Sequence, residues 1–160
     1  MSDLSHLDEA GRARMVDVSD KADSARSATA EGFLICKTAT LDAALAGTTP
    51  KGAVISTAEL AGVMAAKRTA ELIPLCHPLP LSKIEVSIAP DHALPGFHVR
   101  AEAKTTAKTG VEMEALTAVG VACLTLFDML KAVDRSMSIT GVRVLAKSGG
   151  RSGDWSAEAR

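Results

Sequence analysis

An uncharged stretch, residues 115–127, constrains the fold of this chain more than any other feature of its sequence. Apolar residues recur within and beyond it at the spacing of one helix face, which predicts a long helix over roughly residues 112–134. The stripe that can cover a sheet consists of Leu116, Val119, Cys123, Phe127 and Leu130. Other apolar residues, Val121, Leu124, Met129 and Val133, lie away from that stripe. A helix that is apolar most of the way round needs cover on a second side, and we expect a subunit interface to supply it.

Charged residues mark both ends of this helix. Glu112 and Glu114 lie in its first turn, where acidic side chains also favour the helix dipole. Asp128 and Lys131 lie near the other end, three positions apart, and therefore point the same way. A surface salt bridge is one interpretation of this pair. The other is an acid–base pair, because a carboxylate among apolar neighbours beside an ammonium is how such pairs are tuned.

Glu114 and Asp128 share a face of the helix but cannot share a small substrate. They differ by about 40° in helical phase and lie about 21 Å apart along the axis of a straight helix. If two such helices pack antiparallel across a two-fold axis, Glu114 of one chain approaches Asp128 of the other. The sequence therefore predicts active sites built from two subunits.

Composition argues against several classes of protein. The chain has 160 residues, a formal net charge of −1 and only 2% aromatic residues, so neither nucleic acid nor a membrane surface is an expected partner. The first residues lack the basic and apolar regions of a signal peptide, and the longest uncharged apolar stretch is too short to span a membrane. Three widely separated cysteines suit reduced thiols. We expect a cytoplasmic protein.

The length of the chain suits a single domain over residues 1–160. The polar residues 1–12 predict a mobile N-terminus, and the segment up to about residue 20 is expected to be mobile or to fold over another part of the protein. Residues 148–160 predict a Gly-rich, polar tail.

The order of the predicted elements indicates the fold class. A strand is predicted over 26–37, a short helix capped by Thr40 over 41–46, a longer helix over 57–70, a hairpin of strands near 84–88 and 97–104, and a last strand over 139–145. In the longer helix, Leu60, Ala61, Met64 and Ala65 are predicted to face the core. This order is typical of an α+β, ferredoxin-like fold, in which helices pack on one face of an antiparallel β-sheet.

The loop over residues 73–80 contains three prolines, which exclude regular structure there. Its apolar character indicates that it lines a pocket or packs in the core. His77 in such a loop is more often a structural hydrogen-bonding residue, but the rigid backbone favours a binding role. Cys76 beside it is interpreted as lining the pocket.

Basic residues cluster around the ends of the predicted elements. They are Lys51, Lys67, Arg68, Lys108, Lys131, Arg143 and Lys147. Together with the Gly-rich run 147–153 they can neutralise phosphate oxygens and present backbone N–H groups to them. Each lysine alone can equally be a solvated charge. The chain has no Walker A pattern, and its His and Cys residues do not form a recognisable metal site.

Several segments resemble the signature blocks of the cyclic pyranopterin monophosphate synthase family, also known as the molybdenum cofactor biosynthesis protein C family. The blocks are residues 72–79, 108–116, 127–133 and 145–150, with shorter matches at 15–19 and 65–69. The resemblance extends from about residue 12 to residue 153.

This resemblance implies a lyase of molybdenum cofactor (molybdopterin) biosynthesis. Its substrate would be (8S)-3',8-cyclo-7,8-dihydroguanosine 5'-triphosphate, a nucleotide-derived compound supplied by a radical SAM enzyme. The products would be cyclic pyranopterin monophosphate, which is a pterin, and diphosphate. The resemblance also implies a homohexamer, assembled as a trimer of dimers with sites at the dimer interfaces. No cofactor is expected to be required, although Mg²⁺ could assist the departure of diphosphate.

The resemblance further assigns roles to individual residues. Asp128, Lys51 and Lys131 are implied to be catalytic, with Asp128 as the acid–base group. The implied substrate-binding residues are Leu75, Cys76, His77, Glu112, Met113, Glu114, Lys67 and Lys147. No residue is implied to bind a metal.

Two other interpretations of these residues stay open. A non-catalytic nucleotide-binding oligomer would use the same lysines and pocket loop without needing Asp128. A lyase that acts on another nucleoside triphosphate would share the pocket but not the ring chemistry.

Overall fold

The sheet and its helices follow the predicted order. The structure, a computed structural model, describes residues 7–8 and 10–157. Its elements are β1 (Ser24–Ile35), α1 (Thr38–Leu45), α2 (Val54–Ala66), α3 (Thr69–Leu72), β2 (Leu81–Asp91), β3 (Gly96–Ala107), α4 (Glu112–Leu130), β4 (Ser138–Ser148) and β5 (Trp155–Ser156). The strands form one antiparallel sheet in the order β2-β3-β1-β4-β5. The predicted α+β class is confirmed, and the order of the first four strands is compatible with the ferredoxin-like arrangement.

Alternation along β1 separates the two faces of the sheet. Ala28, Ala30 and Leu34 are buried in the core beneath α4. Glu31 points to the other face, where its carboxylate binds His98 and Arg143 at 2.8 Å each. The apolar core therefore lies between the sheet and the helices, on one face.

Helix α4 is the central element of the core. It spans Glu112–Leu130, so the predicted helix exists but ends four residues earlier than expected. Two members of the predicted stripe, Val119 and Cys123, are fully buried against the sheet. Helix α2 covers a second side of α4, and Met129 is buried within the single chain, so part of the cover that was assigned to a neighbouring subunit comes from the chain itself. Leu124 remains exposed.

Helix α2 differs from its prediction in bounds and in orientation. It begins at Val54 and ends at Ala66, and the separate helix α3 follows it. Leu60 and Met64, predicted to face the core, are 61% and 50% exposed, so the prediction is wrong for these two residues in the single chain, whereas Ala65 is buried as predicted. Small residues face the core instead, because α2 and α4 pack too closely for large side chains. A Cβ atom on Gly62 would lie 2.8 Å from the carbonyl oxygen of Ala118.

The predicted cap of the first helix is also wrong. Helix α1 begins at Thr38, and no side chain caps it from the N-cap position, Lys37. The Thr40 hydroxyl is buried and donates to the Asp134 carboxylate at 3.1 Å. The Thr40 side chain therefore binds Asp134, which is distant in sequence, instead of capping its own helix.

The ends of the chain are described in part. Residues 1–6 and 9 of the predicted mobile N-terminus, and residues 158–160 of the predicted tail, lie outside the described residues. The tail contributes strand β5, which pairs with β4.

Helix α4 has the length and apolar composition of a membrane span, but half of it is buried inside the protein. We interpret it as a core helix.

Candidate functional site

A cleft of about 320 Å³ opens at the N-terminal end of α4. One wall is the proline-rich loop 73–80, the other is the first turn of α4, and Thr109 and Gly110 lie between them. Six residues predicted to bind substrate line this cleft: Leu75, Cys76, His77, Glu112, Met113 and Glu114. The structure therefore brings together residues that lie in two separate parts of the sequence.

The N-terminal segment crosses this cleft as a strap, residues 16–21. Val16, Val18 and Lys21 line the cleft. The ring nitrogen Nε2 of His77 lies 2.8 Å from the carbonyl oxygen of Val16, and the Lys108 ammonium donates to the Ser19 carbonyl at 2.8 Å. These lining residues were not among the predicted site residues. The available signals were the resemblance block at 15–19 and the expectation that this segment folds over another part of the protein.

Glu114 is the buried acid of the cleft. It is 4% exposed, and burial raises the pKa of its carboxyl above the usual value, with a smaller contribution from the charge of Glu112. No lysine or arginine forms an ion pair with Glu114 in the part of the chain that the structure describes. A carboxyl group held in this way takes up a proton more readily than usual and can then donate a hydrogen bond.

Two lysines border this region. The Lys147 ammonium, on β4, lies 3.2 Å from the Glu112 carboxylate and donates to the Ser152 hydroxyl at 2.9 Å. Lys67 lines an adjoining cleft of about 140 Å³, to which Glu114 also belongs. Both predicted lysines therefore lie near the cleft rather than at the other end of α4.

A tight turn follows β4, shortly after Lys147. Gly149 has φ +85°, and a Cβ atom there would clash with the Ala25 carbonyl oxygen. Only glycine fits this backbone conformation and this close approach.

A second cluster lies near the C-terminal end of α4. The Lys51 ammonium lies 2.6 Å from Oδ2 of Asp128 and 2.9 Å from its backbone carbonyl oxygen. The Lys131 ammonium lies 2.7 Å from Oδ1 of the same carboxylate. The hydrogen bonds from Lys131 and then from Lys51 lower the pKa of Asp128 to about 2. This carboxylate is therefore ionised at neutral pH.

The expectation that Asp128 is buried among apolar neighbours is wrong for the single chain. Its side chain is 54% exposed. Exposed ion pairs contribute little to stability, so two ammonium groups on one exposed carboxylate have no strong structural explanation. Lys51 was assigned here only by family resemblance, since no local pattern connects it with Asp128.

The predicted residues thus form two groups rather than one. Helix α4 is continuous between Glu114 and Asp128, which places the two groups about 21 Å apart along its axis. A single chain therefore cannot present both groups to one small substrate. That a neighbouring subunit joins them stays a prediction.

The strap is expected to limit the access of small reagents to Cys76. Cys36 and Cys123 are buried, whereas Cys76 is partly exposed in the cleft beneath the strap. Lys108→Met removes the hydrogen bond to Ser19. We expect it to speed modification of Cys76 by a small thiol reagent about fivefold, the equivalent of one hydrogen bond.

The matched control is Lys104→Met, which removes an exposed lysine that is paired with Glu102 instead. Its rate of modification should equal that of the unmodified sequence, measured by mass spectrometry of the Cys76 peptide. Equal rates in the two variants would show that the hydrogen bond between Lys108 and Ser19 does not hold the strap over Cys76.

Comparison with known proteins agrees with the resemblance found in the sequence. The sequence profile of the MoaC family matches residues 15–150. The chain is 59% identical over 158 residues to the cyclic pyranopterin monophosphate synthase of Methylobacterium sp. (strain 4-46), with 99% of each chain covered. It is 60% identical over 158 residues to the protein of that name from Methylobacterium nodulans, again with 99% of each covered. It is 58% identical over 154 residues to that from Nostoc sp., which covers 96% of this chain and 92% of the relative. With matches over nearly its whole length, the chain belongs to the MoaC family.

Proposed function

We propose that this chain is a cyclic pyranopterin monophosphate synthase, a lyase of molybdenum cofactor biosynthesis. It converts (8S)-3',8-cyclo-7,8-dihydroguanosine 5'-triphosphate to cyclic pyranopterin monophosphate and diphosphate. The observation that carries this proposal is the similarity, over nearly the whole chain, to relatives that bear this name. The two residue clusters at the ends of α4 support it, because their side chains are suited to the chemistry that the reaction needs.

The cleft at the start of α4 is suited to the ring system of the substrate. Leu75 and Met113 offer apolar walls, and His77 and the buried Glu114 offer polar groups to the ring edge. A pterin ring presents both donors and acceptors at its edge, and a carboxyl group that is easily protonated can match either. We propose that these residues, with Cys76, hold the ring, and that Glu112, Lys67 and Lys147 bind its polar substituents.

The second cluster is suited to proton transfer and to phosphate chemistry. Asp128 is ionised and hydrogen-bonded to two ammonium groups, so it can accept a proton while Lys51 or Lys131 donates one. Closing a cyclic phosphate with loss of diphosphate develops negative charge on the leaving group, which nearby lysines stabilise. We propose Asp128, Lys51 and Lys131 as the catalytic residues.

The distance between the clusters supports an oligomeric enzyme. A substrate held near Glu114 lies too far from Asp128 of the same chain, so a second subunit must supply one of the two clusters. We propose a homohexamer, a trimer of dimers with sites at the dimer interfaces. Exposed apolar residues of α4, such as Leu124, are available to such an interface.

The setting of the reaction follows from its substrate. We propose that the protein acts in the cytoplasm and receives the cyclised dihydro-GTP from a radical SAM enzyme, with neither nucleic acid nor membrane as partner. We propose that no cofactor is required, because the lysines can neutralise the triphosphate. Mg²⁺ could accompany the departing diphosphate.

Product analysis tests the proposed function. The protein is incubated with the cyclised dihydro-GTP, and diphosphate and cyclic pyranopterin monophosphate are measured in equal amounts if the proposal is correct. Substrate that is bound but returned unchanged would indicate a non-catalytic nucleotide-binding protein. Diphosphate released only from a different nucleoside triphosphate would indicate another lyase, and either result would overturn the assignment.

A further inference from the structure

A carboxylate outside both clusters is buried at the end of α4. Asp134 is 1% exposed. Its Oδ1 accepts hydrogen bonds from the backbone N–H and the hydroxyl of Ser136 at 2.9 and 2.6 Å. Its Oδ2 accepts from the backbone N–H of Lys37 at 3.0 Å and from the hydroxyl of Thr40 at 3.1 Å. Burial acts to raise the pKa of Asp134, but these hydrogen bonds outweigh it and hold the pKa below the usual value.

The two oxygens of Asp134 accept hydrogen bonds from different parts of the chain, and the Lys37 ammonium also lies 4.0 Å from Oδ1. Oδ1 binds Ser136, in the turn that Asp134 itself begins. Oδ2 binds Lys37 and Thr40, at the N-terminal end of α1. Because α1 lacks a side-chain cap of its own, this distant carboxylate takes the place of a capping residue. Asp134 therefore ties the N-terminal end of α1 to the C-terminal end of α4.

The other end of α1 leads directly to Lys51. The backbone N–H and the hydroxyl of Thr48 both donate to the Ala43 carbonyl, at 3.1 and 3.2 Å. Thr49 is buried and exchanges hydrogen bonds with Gly52 across the turn that contains Lys51. These hydrogen bonds link the end of α1 to the turn that contains Lys51. A displacement of α1 would therefore carry the Lys51 backbone with it.

Asp134 is also fixed to α4, the helix that carries Asp128. Its backbone N–H donates to the Leu130 carbonyl at 3.0 Å, at the end of α4, close in sequence to Asp128 and Lys131. We propose that Asp134 is a positioning residue, which sets the place of Lys51 relative to Asp128 by capping α1 from the end of α4. The catalytic consequence rests on the proposed function, whereas the placement of Lys51 does not.

Chemical labelling of lysines in the ligand-free protein tests this placement. A lysine that is hydrogen-bonded to a carboxylate reacts slowly with an acylating reagent, so release of Lys51 from Asp128 raises its labelling. Lys83, which pairs with Glu85 and Glu102 on the outer face of the sheet, serves as the internal reference. Mass spectrometry gives the ratio of labelling at Lys51 to that at Lys83.

Three substitutions separate the two oxygens of Asp134. Thr40→Val removes one hydrogen bond to α1 at nearly constant volume, and Thr40→Ser restores the hydroxyl. Ser136→Ala removes a hydrogen bond from the other oxygen and leaves α1 capped. We expect Thr40→Val to raise the labelling ratio about fivefold, the equivalent of one hydrogen bond. Thr40→Ser and Ser136→Ala should leave it unchanged, and Asp134→Asn should raise it at least as much as Thr40→Val.

Turnover of the cyclised dihydro-GTP by the same variants connects placement with catalysis. Thr40→Val should lower kcat, and Thr40→Ser should restore it. An unchanged labelling ratio in Thr40→Val, an equal rise in Ser136→Ala, or a parallel rise at Lys83 would overturn the proposal. Thr40→Val decides the question even if Asp134→Asn fails to fold. A raised ratio together with no turnover by the unmodified sequence would contradict the proposed function and leave the positioning role intact.

Discussion

Replacement of Asp128 by asparagine is expected to lower turnover by a factor of about 10² to 10⁴, the range of a lost general acid–base group. Asparagine keeps the shape of the side chain but cannot accept a proton from the substrate. Lys51 and Lys131 remain, and with them the positive charge that attracts phosphate. Substrate affinity, measured by calorimetry, should therefore stay the same or increase slightly, while diphosphate release at saturating substrate falls.

A matched control separates catalysis from the loss of an exposed ion pair. Glu85→Gln breaks the exposed pair between Glu85 and Lys83, whose length of 2.7 Å matches that between Asp128 and Lys131. We expect this variant to turn over substrate at the rate of the unmodified sequence. If Asp128→Asn does the same, the pair at the end of α4 is only a surface salt bridge, and Asp128 is not the catalytic group.

The features that could be predicted from the sequence are those with a local cause. The long helix follows from the apolar spacing around residues 115–127, and the hairpin follows from alternation on both sides of a turn. The separation of Glu114 from Asp128 follows from the rise of a helix alone. The proline-rich loop was correctly expected to lack regular structure, because proline restricts its own backbone and that of the residue before it.

The features that escaped prediction depend on contacts between distant parts of the chain. The orientation of α2 follows from its close approach to α4 at Gly62, which hydrophobicity alone does not reveal. The direct pairing of Lys51 with Asp128 joins a loop to a helix, and no spacing rule connects them. The cap of α1 by Asp134 escaped for the same reason, since Thr40 was expected to act within its own helix.

A mixture of two inactive variants is expected to regain activity if the site is shared between subunits. Glu114→Leu removes the buried acid of the cleft, and Asp128→Asn removes the proposed base. In a dimer with one subunit of each kind, one site carries both changes and the other carries neither. With random pairing, half of the dimers are mixed, so about a quarter of all sites should be intact and specific activity should reach about a quarter of the unmodified level.

The matched control places both substitutions in one chain and mixes it with the unmodified protein. In a shared site, each site of a mixed dimer then carries one change, so only dimers of two unmodified chains act and activity again reaches about a quarter. If each chain instead holds a complete site, the first mixture stays inactive and the control retains about half. Co-expression of subunits with different tags, followed by measurement of diphosphate release, distinguishes these results. Activity of about a quarter in both mixtures shows that the clusters around Glu114 and Asp128 meet across a subunit interface. No activity in the first mixture, with about a half in the control, shows that each chain holds a complete site.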